Sequence, residues 1–199
     1  IESLHRLGKH LAIASAGGPA IEVHLGMSGQ VLVHEGPLPE SSEAKATHTH
    51  VAWTLRSGGA TRTMIFRDPR RFGGVWGFAS FDQLRERRWG GLGPVALGVS
   101  GVHLCEQTRG SARSIKAALL DQSLLAGVGN IYADESLFAV GVSPRRLCKR
   151  VSREQCERLA QAIRVILAAA IASGGSTLRD YVDADGKQGA SQFALKVYG

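Results

Sequence analysis

Gly127-Val128-Gly129-Asn130-Ile131-Tyr132-Ala133-Asp134-Glu135 is the stretch that decides how the second half of this 199-residue chain folds. A helix is predicted from Ile115 onward and another over residues 131–140, so the two glycines lie between helices. Glycine permits close approach of the backbone, and the start of the following helix directs N–H groups outward, where they suit an anion. Glycines between helices are by themselves usually only a turn, so the meaning of this stretch depends on its neighbours.

Helix signals continue beyond this stretch. Ser152 and Gln155 have the spacing of a capping box, which predicts that a long helix begins after Ser152. Its apolar stripe runs through Leu159, Ile163, Ile166, Leu167 and Ile171, and Gly174 stands where a C-terminal glycine cap is expected. The stripe predicts a face buried in a hydrophobic core and not a cofactor site.

Short alternating runs broken by glycine make up the first half. Ile21, Val23 and Leu25 fall on one face of a predicted strand, whereas Glu22 and His24 fall on the other, polar face. Further strands are predicted over residues 30–34, 51–55, 61–67 and 75–78. This pattern is typical of an antiparallel sandwich or barrel.

The period changes after Ser80, where a brief helix is predicted over residues 81–88 and a Gly- and Pro-bearing connection follows. The expected class is therefore α+β, with an N-terminal antiparallel β-sandwich over residues 1–90 and a helical domain over residues 95–199.

The charge of the chain favours an anionic partner. There are 24 Lys and Arg residues against 17 Asp and Glu residues, a formal net charge of +7. Basic residues concentrate near residues 67–71 and again over residues 145–153, and two local patches fit a phosphate backbone better than diffuse charge does. A merely solvated basic surface is the alternative.

Neither a disulfide scaffold nor a membrane protein is indicated. Cys105, Cys148 and Cys156 form no CxxC pair and leave an odd count, so we expect reduced, structural thiols and a cytoplasmic setting. The longest apolar stretch, residues 163–171, is too short to span a bilayer, and no signal-peptide pattern opens the sequence.

Two loops carry side chains suited to base extrusion: His24-Leu25-Gly26-Met27-Ser28-Gly29 and Asp68-Pro69-Arg70-Arg71-Phe72-Gly73. A protein that extrudes a nucleotide needs an apolar or planar wedge for the vacated stack and a donor for the orphaned base. Met27, Phe72 and Arg70 supply these types. Standing alone, the second loop would be interpreted as a surface turn with a buried Phe.

Together with Gly174-Gly175-Ser176-Thr177-Leu178-Arg179-Asp180, these stretches resemble the formamidopyrimidine-DNA glycosylase and endonuclease VIII family over essentially the whole chain. The resemblance implies a base-excision repair parent, a bifunctional DNA glycosylase and AP lyase that removes oxidised purines (8-oxoguanine and formamidopyrimidines) from double-stranded DNA. It implies that the helical domain is a helix–two-turns–helix domain. Met27 would fill the gap, Arg70 hydrogen-bond the estranged cytosine and Phe72 wedge the neighbouring step.

The same resemblance implies a set of contacts with the phosphate backbone of DNA. Asn130 matches the family's phosphate-binding Asn, and Lys9 matches a lysine that contacts the phosphate beside the damaged sugar and takes part in β-elimination. His24 matches a phosphate-contacting His, and His48 matches a DNA-contacting position. Lys116 is a further candidate phosphate contact. From local pattern alone, Lys9 and Lys116 would be solvated lysines and His24 a sheet residue.

Two parts of the family pattern are expected to lie outside this chain. The family attacks with the amine of an N-terminal proline that a catalytic Glu follows, and Ile1-Glu2 does not match it. A four-cysteine zinc finger begins after a segment that resembles Val197-Tyr198-Gly199. We therefore expect a fragment with a truncated sandwich, zinc only in the missing finger, no metal or cofactor within the chain, and no chemistry by the chain itself.

Other functions stay open on the sequence alone. One is a non-catalytic module that recognises distorted DNA with the same loops, and another is an endonuclease VIII-like, pyrimidine-directed glycosylase, although the Met and Phe pattern resembles the purine-directed branch. An RNA-binding relative would have no use for the strand-rich half. The expected protein is a monomer that acts on the nucleoid in a bacterial cytoplasm.

Overall fold

The computed structural model describes residues 1–37, 47–176 and 182–198, and in these residues strands precede helices. This order confirms the predicted α+β class. Residues 177–180 of the family-like stretch 174–180 lie outside the described residues. The strands are β1 Ser3–Leu7, β2 His10–Ala14, β3 Ala20–His24, β4 Gln30–Glu35, β5 Thr49–Ser57, β6 Ala60–Arg67 and β7 Gly74–Phe78. The α-helices are α1 Phe81–Leu84, α2 Gly101–Thr108, α3 Ile115–Leu120, α4 Asn130–Ala139 and α5 Arg153–Ala172.

Two antiparallel sheets form the first half, with strand orders β1-β2-β3-β7 and β4-β6-β5. In the first sheet, His24 of β3 lies opposite His10 of β2 on one side and opposite Gly74 of β7 on the other. Strands β1 and β2 lie where the sequence pattern predicts no strand. Three consecutive residues of β2 are buried, so this strand does not alternate. Strand β1 also lacks a clear pattern. It is an edge strand without a fully buried residue, so its alternation shows little apolar contrast.

The predicted exposure of the Glu22 and His24 face is wrong at Glu22. This carboxylate is fully buried, because α1 and a π-helical turn over Arg85–Trp89 pack against that face of the first sheet. The helix predicted over residues 81–88 is therefore two short elements, α1 and the π-helical turn. Local periodicity does not reveal that these elements fold back over β3.

One hydrophobic core holds the helical half together, with Leu119, Leu137, Leu159 and Ile163 fully buried within it. The capping box is confirmed, since the Ser152 hydroxyl accepts the Gln155 N–H and the Gln155 side chain returns to the Ser152 N–H.

At the end of α5, the predicted glycine cap at Gly174 is confirmed, whereas the predicted burial of Ile171 is wrong. Gly174 has a φ of +73°, the left-handed conformation of a helix C-terminal glycine. Ile171 is 60% exposed, because the last turn of α5 extends past the core and buries Ala170 instead. Within the part of the chain that the structure describes, none of the helices has both the length and the apolar character that crossing a bilayer requires.

Among the described residues, the backbones of the two halves approach each other at the β1–β2 turn and at β4. Gly8, in the turn between β1 and β2, lies against the connection before α4: a Cβ on Gly8 would come 2.9 Å from the Gly127 nitrogen. On the other side, the Val33 N–H donates to the Ala184 carbonyl oxygen at 3.0 Å. The first contact places the β1–β2 turn beside the start of α4.

Candidate nucleic-acid interface

Asp68 holds the two predicted wedge loops together. It is fully buried, and its carboxylate accepts the Ser28 hydroxyl at 2.6 Å and the Gly73 N–H at 2.7 Å. The Arg70 N–H approaches the same carboxylate at 3.3 Å. Ser28 belongs to the loop between β3 and β4, and Gly73 to the loop between β6 and β7. One side chain therefore fixes two loops that lie far apart in sequence.

Hydrogen bonding keeps Asp68 ionised. Burial by itself would raise the pKa of this carboxyl, but the bonds from Ser28, from the Gly73 N–H and from the N–H groups of Arg70 and Arg71 outweigh burial and lower the pKa. An ionised acceptor makes each of these bonds charge-assisted, so the loop is anchored more firmly than a neutral side chain would anchor it.

Backbone contact holds together the two loops that carry Met27 and Phe72. A Cβ on Gly26 would lie 2.5 Å from both the Gly73 nitrogen and the Phe72 carbonyl carbon, so the two loops touch without side chains between them. Met27 and Phe72 are 65% and 61% exposed. Two large apolar side chains thus project from a rigid support into solvent, which overturns the interpretation of Phe72 as a buried turn residue.

Arg70 belongs to the loop between β6 and β7, and His48 and His50 contact the same loop at Asp68. The Arg70 side chain is exposed. His48 is also exposed, with a φ of +84°, and its carbonyl oxygen accepts the Asp68 N–H at 3.0 Å. The Nε2–H of His50 donates to the Asp68 carbonyl oxygen at 2.9 Å. The backbone of Asp68 therefore connects the histidines to the wedge.

Lys9 and the start of α4 come together where the two halves meet. A Cβ on Gly129 would lie 3.3 Å from the Nζ of Lys9. Gly129 caps α4 in an extended conformation without a side-chain hydrogen bond, so no side chain at the cap covers the first N–H groups of this ten-residue helix. Desolvation lowers the pKa of Lys9, although its side chain as a whole stays exposed. A lysine and a helix N-terminus at one point suit a phosphate.

Asn130 is the first residue of α4, and its amide donates to the hydroxyl of Tyr198. Tyr198 is held there by Glu135 of the same helix. The buried Glu135 carboxylate accepts the N–H groups of Lys196, Val197 and Tyr198 at 2.9, 2.7 and 3.2 Å. These bonds from the C-terminal segment to Glu135 were not predicted, because the N–H groups are more than sixty positions away from Glu135 in sequence.

His24, the last residue of β3, has one ring nitrogen that is fixed by a backbone N–H. Its Nδ1 accepts the Gly26 N–H at 3.1 Å, which leaves Nε2 to carry the proton of the neutral ring. Desolvation and the nearby charges of His10, Lys9 and Arg88 lower the pKa of His24, whereas Glu22 opposes this shift. His24 is therefore a neutral hydrogen-bond donor at neutral pH.

Lys116 has a structural partner. Its Nζ lies 2.7 Å from an oxygen of Asp134 in α4, and both side chains are partly buried. This ion pair across α3 and α4 replaces the solvated lysine expected from local pattern. A phosphate would have to compete with Asp134 for the ammonium, so the phosphate contact of Lys116 stays a prediction with weaker support than that of Lys9.

The three cysteines of this chain are not those of the expected zinc finger, and all belong to the helical half. Cys148 and Cys156 are buried in the helical core and Cys105 is packed against it. Burial raises the pKa of the Cys156 thiol to about 11, which disfavours the thiolate that zinc requires. Among the described residues, no three His, Cys, Asp or Glu side chains are grouped to hold a metal ion.

Fold and site together define an α+β protein with two surface features. One is the exposed apolar pair Met27 and Phe72, and the other is Lys9 beside the N-terminus of α4. Two family models match the chain: the formamidopyrimidine-DNA glycosylase N-terminal domain over residues 1–75 and the formamidopyrimidine-DNA glycosylase H2TH domain over residues 92–182. The chain belongs to the formamidopyrimidine-DNA glycosylase family.

Relatives and solved structures agree with this assignment. The whole chain is 40% identical to a formamidopyrimidine-DNA glycosylase of Moorella thermoacetica and 43% identical to one of Stutzerimonas stutzeri, and it spans 70% of each. Among solved structures, the MutM (Fpg) protein of Thermus thermophilus matches with a TM-score of 0.81 at 40% identity, over 99% of this chain and 70% of that one. A Lactococcus lactis Fpg mutant in complex with DNA that contains Fapy-dG matches with a TM-score of 0.85 at 29% identity, over 100% of this chain and 70% of that one.

Proposed function

We propose that this chain is the DNA-recognition core of a base-excision repair glycosylase that removes oxidised purines from duplex DNA. The observation that carries the proposal is the pair of exposed side chains, Met27 and Phe72, on two loops that Asp68 joins. Other apolar side chains of this chain are as exposed, such as Phe193 and Phe138. Met27 and Phe72 differ in that one buried carboxylate joins their loops, and such a pair suits insertion into a base stack.

The comparisons support the lesion class. One matching structure is Lactococcus lactis Fpg with DNA containing Fapy-dG, and another is MutM with DNA containing carbocyclic 8-oxo-G. Both lesions are purine-derived, and the relatives named above carry the formamidopyrimidine name. These names favour a purine-directed enzyme over the pyrimidine-directed alternative.

Each part of the surface has a separate task in this proposal. Phosphates of the damaged strand bind at Lys9, His24 and the N-terminus of α4, where Asn130 adds an amide. Met27 fills the space of the extruded nucleotide, and Phe72 wedges the adjacent step. Arg70 donates to the base that is left without a partner, and His48 contacts the backbone nearby.

The proposed chemistry needs a secondary amine. In a form that carries the family's Pro-Glu N-terminus, the proline nitrogen attacks the sugar carbon, the base leaves, and the Schiff base allows AP lyase cleavage. Lys9 takes part in the β-elimination. A polypeptide without that proline nitrogen lacks the proposed nucleophile, so we expect it to bind DNA without excising the base.

Borohydride trapping tests this assignment. A form with N-terminal Pro-Glu should become covalently attached to an 8-oxoguanine duplex in the presence of borohydride, and a polypeptide spanning Ile1–Gly199 should not. Gel mobility or intact mass reports the adduct. If the Pro-Glu form binds the duplex and is never trapped, the chain is a non-catalytic damage-binding module. Trapping by the Ile1–Gly199 polypeptide that disappears in its Lys9→Ala variant would identify Lys9 as a nucleophile.

Arg70→Ala should lower discrimination for the base opposite the lesion. Loss of one specific base contact is worth about 1–3 kcal/mol, or about 5- to 150-fold in relative affinity. The measurement compares dissociation constants for 8-oxoguanine opposite cytosine and opposite adenine. Arg62→Ala removes the same charge from an exposed pair with Glu35 and is the matched control. Unchanged opposite-base preference in the Arg70 variant would contradict its role at the orphaned base.

Lys9→Ala and Asn130→Ala should separate charge from hydrogen bonding. Both should weaken binding to every duplex, since phosphates carry no sequence. Only Lys9→Ala removes a cation, so it should reduce the slope of log K against log salt by about 0.9, whereas Asn130→Ala should leave the slope as it is. Binding titrations from low to moderate salt give both slopes. Equal slopes for the wild type and the Lys9 variant would remove Lys9 from the phosphate site.

Three further assignments belong to the proposal. The two-domain division at residues 90–95 is supported by the family models, which match on either side of it. A monomer is proposed because one chain carries the wedge and the phosphate contacts together. A bacterial cytoplasm is proposed because the named relatives are bacterial proteins.

A further inference from the structure

Glu22 is a buried charge that the proposed function does not use. It lies in the middle of β3 with no exposed surface. One oxygen lies 2.6 Å from Nδ1 of His10, and Arg88 donates to both oxygens at 3.0 and 3.3 Å. An apolar side chain of similar size is often as stabilising as a buried ion pair, so stability alone gives little reason for a carboxylate at this position.

The two partners of Glu22 stand on either side of His24. His10 lies opposite His24 across the β2–β3 ladder, and their ring centroids are 4.8 Å apart. On the other side, the Arg88 guanidinium stacks on Trp76 at 4.0 Å from the ring centroid.

Trp76 lies on β7, the neighbouring strand on that side of His24. Its indole folds over Gly74, the residue opposite His24, so closely that a Cβ on Gly74 would lie 2.7 Å from the ring. Glu22 therefore binds groups on both sides of His24 in the sheet: His10 on β2, and Arg88, which stacks on Trp76 of β7.

We propose that Glu22 is a positioning residue for DNA phosphate binding, holding the His24 imidazole so that its Nε2–H faces the DNA backbone. Glu22 touches no DNA in this arrangement and acts through His10 and Arg88. The Gly26 N–H donates to Nδ1 of the ring, and His10 and Trp76 limit the rotation of the imidazole. The inference rests on the proposed function, since it needs His24 to contact a phosphate.

Whether Glu22→Gln weakens or strengthens DNA binding distinguishes a positioning role of Glu22 from a simple effect of its charge. Glu22→Gln removes a negative charge from a protein that binds a polyanion, so electrostatics alone predicts tighter binding. Positioning predicts the opposite: affinity for duplex DNA should fall about tenfold, the loss of one charge-assisted hydrogen bond. Glu106→Gln makes the same charge change at an exposed site on α2 and should bind as tightly as the wild type or slightly more tightly.

A double-mutant cycle with His24→Ala tests whether Glu22 acts through His24. The loss from Glu22→Gln should disappear in the His24→Ala background. His10→Gln, which can still donate to Glu22 but lacks the ring, should show the same coupling and covers the case in which the Glu22 variant fails to fold. Nitrogen chemical shifts of His24 should move from the Nε2–H tautomer toward a mixture in both variants.

Two results would overturn the inference in different ways. Losses that add in the double variants, with unchanged His24 shifts, would show that Glu22 serves only the fold, and the phosphate contact of His24 would stand. Wild-type binding by His24→Ala alone would remove the phosphate contact from the proposed function, and the inference with it.

Discussion

Asp68→Ala should lower the free energy of unfolding by about 3–5 kcal/mol and abolish the preference for damaged duplex. The substitution leaves the Ser28 hydroxyl and the Gly73 N–H without their acceptor in a buried site. With the two loops released from each other, Met27 and Phe72 no longer project together. Chemical denaturation measures the stability loss, and competition between lesion and undamaged duplexes measures the preference.

Acid should remove the same stabilisation in the wild type. Because hydrogen bonding lowers the pKa of Asp68 in the fold, its contribution is fully present above the unfolded value of about 3.9. It is lost as the pH falls through the lower, folded value. The stability difference between wild type and Asp68→Ala should therefore be constant near neutrality and shrink below about pH 4.

Asp82→Ala provides the control for Asp68, since the Asp82 side chain is 92% exposed and pairs only at 3.9 Å with Arg85. It should change stability by less than about 1 kcal/mol. A loss of similar size in both variants would show that Asp68 is not the anchor of the wedge.

Gly26→Ala should cost about 2–5 kcal/mol and weaken lesion binding, because the new Cβ meets backbone and not a flexible side chain. The φ of Gly26 is +62°, and the Cβ would lie 2.5 Å from atoms of Phe72 and Gly73. The loops must separate to admit it, which moves Met27 away from Phe72. Thermal denaturation and lesion-duplex affinity measure the two effects.

Gly17→Ala separates the two causes. Gly17 has nearly the same φ, +57°, but nothing lies within 4 Å of its Cβ position. It should show only the conformational penalty, about 1–2 kcal/mol, and bind DNA normally. If both glycine variants lost the same stability and kept full affinity, the contact between the two loops would have no part in recognition.

Local sequence pattern predicted some of the elements that position the site, but not β1 and β2, whose turn carries Lys9. The Ser152–Gln155 capping box and the strands before and after the wedge loop depend on near neighbours, and the structure contains them. Turn residues around Met27 and Phe72 indicated loops, and the resemblance to a known family indicated that these loops act together.

Contacts between distant segments could not be predicted in this way. The burial of Glu22 depends on the π-helical turn that carries Arg88, 66 positions later. Likewise, the Lys116–Asp134 pair and the cap on the C-terminal segment by Glu135 require the helices to be packed first. Periodicity reports which face of an element is apolar, but it does not report which polar side chains meet across elements.

Damage recognition by this surface can be measured as the affinity of the Ile1–Gly199 polypeptide for two duplexes of one sequence, with either 8-oxoguanine or guanine opposite cytosine. We expect the lesion duplex to bind at least about tenfold more tightly, since extrusion of a damaged base is less costly. The double variant Met27→Ala, Phe72→Ala should lose this difference while it keeps its affinity for undamaged DNA. Equal affinity of the wild type for the two duplexes would contradict the assignment of this surface to damage recognition.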